Sequence, residues 1–186
     1  SMRLVICSCM ALNSYRNTDR NIRKGLSMRK KYGMFRGILI DQNDWQGGPC
    51  SRMFTLQDSD ENITDFVITP ETYVIGGNQS RNGKTVTAYY DMSAPAPTIY
   101  PPRLNAEIIV VEQRGIQVKV DWFGRDMVSS DRTLKINPSV ETVIMTQNGL
   151  PYEGSLARKN LIVFYSMSTR SIPAQTTPEE IIVLCE

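Results

Sequence analysis

Short apolar runs with two-residue alternation dominate this chain from residue 34 onward. "MFRGILID" (34–41), "SRMFTLQD" (51–58), "NITDFVIT" (62–69), "TYVIGG" (72–77), "KTVTAYYD" (84–91) and "AEIIVVEQ" (106–113) come first. "IQVKVDWF" (116–123), "RTLKIN" (132–137), "ETVIMTQ" (141–147), "NLIVFYS" (160–166) and "EEIIVLC" (179–185) continue the rhythm. Clusters of Gly, Pro, Asn and Asp separate them and no sustained 3.6-residue apolar period appears, so the pattern predicts strands throughout. The exception is "NSYRNTDRNIRKGLSMRKKYG" (13–33), whose composition favours a short or kinked basic helix. Asn13 or Ser14 could cap it, and Gly25 in its middle costs about 1 kcal/mol against Ala. Ahead of it, "LVICSCMAL" (4–12) reads as a buried strand. Nine residues are too few for a bilayer span, which takes about 20, and a clean small-x-small cleavage site is missing. Ser1 before Met2 reads as a residue left by tag removal.

The second half repeats motifs of the first. "VITPETYVI" (67–75) answers "KINPSVETVIM" (135–145), "TVTAYYDMS" (85–93) answers "NLIVFYSMS" (160–168), and "AEIIVV" (106–111) answers "EEIIVL" (179–184). The last two pairs are offset by 75 and 73 residues, so three motifs recur in order at nearly constant spacing, as a duplication requires. Each unit would hold about five strands, the count of a small OB-like barrel. The predicted fold is therefore all-β, two tandem related small barrels, with residues 1–33 as an N-terminal strand and basic helix or arm. The first repeat spans 34–105 and the second 106–186. Four prolines fall within "APAPTIYPP" (94–102), and a looser version, "STRSIPAQTTP" (168–178), precedes the last strand. Tyr89-Tyr90 and Phe164-Tyr165 occupy equivalent strands, which predicts one aromatic of each pair facing a core and one facing out.

A net charge of +2 conceals an uneven distribution. Residues 1–36 carry nine basic side chains against Asp19 alone, and the remainder carries 12 basic and 18 acidic residues. Arg20, Arg23, Lys24, Lys30 and Lys31 are thus the candidate nucleic-acid contacts, although the acidic body weakens that reading because affinity rests on phosphate neutralisation. Hydrophobic content of 41% is ordinary for a globular chain. Four cysteines (Cys7, Cys9, Cys50, Cys185) form no C-x-x-C pair and read as free thiols of a reducing compartment, which leans towards the cytoplasm.

There is no histidine. Its absence removes Ser-His-Asp and Cys-His catalysis and every His-ligated zinc or iron site. "GGNQSRNGKT" (76–85) fails as a phosphate loop because its spacing is one residue too long and a strand follows where a helix is needed. It predicts a hairpin turn at Asn82-Gly83. "DSDENITD" (58–65) fails as a calcium loop because Ile63 and Thr69 stand where Gly and Glu are required, so it too predicts a solvated turn. A carboxylate- or metal-dependent hydrolase drawing on Asp58, Asp60 and Asp65 is the least favoured class. No cofactor, resident metal or catalytic residue is expected.

The segments "FVITPETYVI", "AYYDMSAPAPTIYPPRLNAEIIVV", "VKVDWFGRDMVSSDRTLKIN" and "STRSIPAQTTPEEIIVLCE" resemble a family of uncharacterised clostridial (Firmicutes) β-proteins. Similar modules stand beside the copper-amine-oxidase N-terminal-like domain of secreted Gram-positive proteins. The resemblance covers roughly residues 35–186 and implies no activity; with no histidine, copper oxidase chemistry is excluded in any case. Sequence therefore favours a non-enzymatic binding or structural module, its ligand surface at Tyr100, Arg103 and Arg170 in the two proline segments. The alternative is an OB-type single-strand nucleic-acid binder using the basic segment. A homo-oligomer or protein partner stays open, and no transmembrane segment is expected.

Overall fold

The computed structural model describes residues 29–46 and 48–185. Its first seven strands are β1 (Tyr32–Asp44), β2 (Arg52–Gln57), β3 (Ile63–Ile68), β4 (Tyr73–Ile75), β5 (Thr85–Asp91), β6 (Arg103–Asn105) and β7 (Ile108–Val111). The other six are β8 (Gln117–Phe123), β9 (Leu134–Ile136), β10 (Val143–Thr146), β11 (Lys159–Tyr165), β12 (Ala174–Thr176) and β13 (Glu180–Val183). Among the described residues there is no α-helix, only a 3₁₀ turn at Gly77–Gln79. The basic helix expected over 13–33 does not reach its predicted end, since Tyr32 and Gly33 already belong to β1. Residues 1–28, with the expected strand at 4–12, lie outside the described residues.

Every strand predicted from residue 34 onward is present, and two more appear. Both additions are three residues long; β6 directly follows the first proline segment, and β12 lies inside the second, directly after Pro173. The strands form a seven-stranded sheet in the order β4-β7-β5-β1-β2-β3-β6, a four-stranded sheet β10-β13-β11-β8, and a two-stranded sheet β12-β9. Most pairs are antiparallel, but β3–β6, β4–β7, β9–β12 and β10–β13 are parallel. The order and sense of β4-β7-β5-β1 recur in β10-β13-β11-β8.

The all-β class holds, but the two OB-like barrels do not form. A closed barrel returns its last strand to its first, whereas the larger sheet keeps β4 and β6 as separate ends and the second half splits into two sheets. Instead, the segment β3–corner–β4 lies parallel on β6–corner–β7, and β9–corner–β10 lies on β12–corner–β13, coil on coil as in a β-solenoid. Alternation marks which residues can be strands but not which strand lies beside which, and these parallel neighbours are distant in sequence. The Asn82-Gly83 turn exists, with Gly83 at φ 91°, but it closes no hairpin, because β7 separates β4 from β5.

The corners are tied by threonines. Thr72 Oγ1 accepts from the Thr69 N–H at 2.9 Å and donates to the Ala106 carbonyl at 2.8 Å. Thr142 Oγ1 accepts from the Ser139 N–H at 3.0 Å and donates to the Pro178 carbonyl at 2.8 Å. The next N–H along, of Tyr73 or Val143, donates to the carbonyl of Glu107 or Glu179. These bonds place Ile108 opposite Glu180 as counterparts, one residue away from the superposition "AEIIVV" on "EEIIVL". One residue decides which face a strand presents.

Three apolar layers result. Leu39, Leu56, Phe66, Val86 and Ile109 lie in the first outer core, and Phe123, Ile136, Leu161, Val163 and Ile181 in the second. Tyr89, Ile108, Val110, Val120, Ile162 and Ile182 form a layer shared by the two sheets. Strands β5, β7, β11 and β13 are covered on both faces, which explains their unbroken apolar runs. It also corrects the expectation of one aromatic facing out. Tyr89 and Phe164 enter the shared layer, while Tyr90 and Tyr165 pack on the two outer cores.

Candidate functional site

Along β1, Phe35, Gly37 and Leu39 turn towards the first core, so Met34, Arg36 and Ile38 must share the opposite face. That face also carries Tyr89 and Val110, but the second sheet does not cover all of it: Met34 remains 60% and Ile38 49% exposed. The uncovered strip and the nearby border of the second sheet enclose a partly open groove of about 600 Å³. Its walls come from Met34, Tyr89, Val110, Val118 and Phe164. The turn from β7 to β8, where Gly115 adopts φ 79°, crosses between the sheets and closes one side with Gln113 and Ile116.

Polar groups stand at the margins of the groove. Arg36 Nε lies 2.5 Å from Glu112 Oε1, and Arg36 Nη2 donates to Glu112 Oε2 at 3.0 Å. That carboxylate raises the Arg36 pKa through the hydrogen bond, against a smaller opposing effect of burial. Burial pushes the Tyr89 hydroxyl up to about 12 although the Val120 N–H donates to it. Tyr165, which also lines the groove, is raised by burial and by the Asp131 charge. Ser166 donates to Glu179 through its N–H at 3.1 Å and through its hydroxyl. An apolar trough with hydrogen-bonding margins is suited to holding a small ligand, and its size is ordinary for such sites, which run about 300–1,000 Å³.

The residues singled out from sequence lie elsewhere. Tyr100 is 83% exposed, next to Pro101 across a cis peptide bond; Ile172-Pro173 in the second proline segment is also cis. Arg103 sits on β6 with its guanidinium 4.5 Å above the Trp45 ring, a cation–π contact. Arg170 is exposed in the turn before β12. None of the three lines the groove. Lys30 Nζ is 2.7 Å from Glu107 Oε2 and Lys31 is exposed. Arg29 lies 4.3 Å above the Trp122 ring, so two cations of the basic segment are engaged within the protein. Arg20, Arg23 and Lys24 lie outside the described residues.

The acidic turn holds itself together. Asp58 Oδ1 accepts the N–H groups of Asp60 and Asn62, both at 2.9 Å, whereas Asp65 is buried and accepts the Thr55 hydroxyl at 2.7 Å. Among the described residues no group of three His, Cys, Asp or Glu side chains could hold a metal ion. Cys50 and Cys185 are free and exposed. No helix among the described residues is long and apolar enough to cross a membrane. No protein-family model, curated protein or solved structure matches this chain.

Sequence reading missed the groove because its walls come from β1, β5, β7, β8 and β11 together. The available signal was the Met34-Arg36-Ile38 stripe, which looks in sequence like any half-buried strand.

Proposed function

We propose that this protein is a non-enzymatic binding module whose ligand lies in the groove between the two sheets. The observation that carries this reading is the uncovered apolar face of β1: Met34 and Ile38 stay exposed beside a groove walled by Tyr89, Val118 and Phe164. Exposed apolar surface of this kind, rimmed by polar groups, marks interaction sites. We further read the two halves as copies of one unit, supported by their common strand order and their matching threonine corners. The resemblance to the clostridial β-protein family is compatible with a binding role and adds no residue to it. The nucleic-acid alternative drew on OB-type faces, which these sheets lack, and on a basic segment two of whose cations pair within the protein.

A neutral dye tests the groove. Nile red should bind the wild-type protein with a saturable rise in fluorescence. Met34→Glu and Ile116→Glu, both at exposed positions, should each weaken that binding by about tenfold, since a charge would then sit in the apolar trough. Absent binding, or binding equal in both variants and wild type, would sink the proposal.

A further inference from the structure

One end of the groove differs chemically from the rest. Beyond the Arg36–Glu112 pair, a second recess of about 370 Å³ shares Glu112 and Gln113 with the groove. Lys84 and Arg114 line it as well. Among the described residues, the ion pairs found engage neither Lys84 nor Arg114, whereas Glu112 is already taken by Arg36. Arg36, Lys84 and Arg114 thus stand against the one carboxylate of Glu112 among the charged residues lining this end, a local excess of two positive charges. The trough it adjoins has Arg36 and Glu112, paired with each other, as its charged lining residues, and Tyr89, Val110, Val118 and Phe164 among its apolar and aromatic ones.

The geometry points to an anionic amphiphile as the ligand class: an aliphatic or aryl body along the apolar trough, with a carboxylate or phosphate head at Lys84 and Arg114. This inference rests on the groove being the ligand site. The two parts of such a ligand do different work. Removing the body from water supplies the main driving force, which scales with apolar area. The head meets solvent-exposed cations, whose attraction is modest and falls with salt. It therefore sets orientation and selects anions over neutral ligands of the same body. The Arg36–Glu112 pair stands between the two zones and keeps Glu112 from repelling the head.

Calorimetric titration of the full chain with monomeric dodecanoate, dodecyl phosphate and 1-dodecanol provides the test. At low salt, both anions should bind at least tenfold more tightly than the alcohol. The preference should shrink severalfold in 0.5 M NaCl, because the Debye length is then only a few ångströms. Lys84→Glu combined with Arg114→Glu should abolish it while leaving 1-dodecanol and Nile red binding unchanged. Both positions belong to a solvent-facing recess, so the fold tolerates them; single Lys84→Ala and Arg114→Ala variants, each losing part of the preference, give a milder second measurement. Equal binding of all three compounds, or a preference untouched by the charge reversals, would overturn the head-group site and leave the groove reading intact. No binding of any compound, together with no Nile red binding, would overturn both. Binding to phosphatidylglycerol vesicles without binding of monomeric dodecanoate would overturn the groove site in favour of membrane-surface attachment.

Discussion

At the corner between β3 and β4, Thr72 accepts one backbone N–H and donates to the carbonyl of Ala106; between β9 and β10, Thr142 does the same with Pro178. The stacked coils of the two halves are thus joined by the same two bonds from the same side chain. Their outer edges are finished differently. In the first half β1 runs on to Asp44 and pairs with β2, which pairs with β3, so strand hydrogen bonds complete the sheet. In the second half β8 stops at Phe123, and carboxylates organise residues 124–133. Asp121 accepts from the Trp122 N–H, the Ser130 hydroxyl and the Asp131 N–H. Asp131 accepts from Ser129, Thr133 and Lys119. The difference teaches that backbone groups can be satisfied by another strand or by ionised side chains, and only the second solution depends on pH.

The largest expected effect concerns whether the halves are separable. Phe66 and Phe123 are fully buried in the two outer cores. Truncating either to Ala should cost about 3–5 kcal/mol, the usual range for a buried aromatic. Because Tyr89, Ile108 and Val110 pack with Val120, Ile162 and Ile182 in one layer, either variant should lower the midpoint of a single unfolding transition. Calorimetry that resolved two transitions, with only one moved by each variant, would break the view of a shared core.

A smaller effect is expected at the corners. Thr72→Val and Thr142→Val preserve shape but remove the side-chain bonds to the Thr69 or Ser139 N–H and to the Ala106 or Pro178 carbonyl, at a cost of about 0.5–1.5 kcal/mol per bond. Urea midpoints should fall by similar amounts in both variants. A large loss in one half only would show that the common geometry hides unequal dependence.

Acid should then separate the halves most gently. Burial alone would raise the Asp131 carboxyl, but hydrogen bonds from Lys119, Ser129 and Thr133 outweigh it and hold the group well below the usual carboxylate range. A carboxyl depressed in the folded state adds stability above its unfolded pKa, about 3.9, and loses it as pH falls through the folded value. Wild-type stability should accordingly decline below about pH 4. Asp131→Asn should be less stable at pH 7 and show a shallower decline between pH 4 and 2. An unchanged slope in urea unfolding across that range would remove Asp131 from the account.

Much of the strand content was legible along the chain because β-branched and aromatic runs bounded by Gly, Pro and Asn carry a local signal. The strands β6 and β12 were not, since three residues beside a proline show no alternation and are held by parallel neighbours far away in sequence. The same limit governed the aromatic pairs. That Tyr89 and Tyr90 point to opposite faces follows from strand geometry, but whether the second face meets water or another sheet does not. The candidate ligand residues Tyr100, Arg103 and Arg170 were favoured for their place in the proline segments; Tyr100 and Arg170 are exposed away from the groove, and Arg103 lies against Trp45.

By itself, the sequence determined an all-β chain, the position of most strands and the exclusion of histidine chemistry, because these depend on residue type and near neighbours. The tertiary structure alone decided the parallel coil stacking, the shared middle layer and the groove with its basic end. Those arise where strands distant in the chain meet, and pairing over such distances leaves no periodic trace in any one segment.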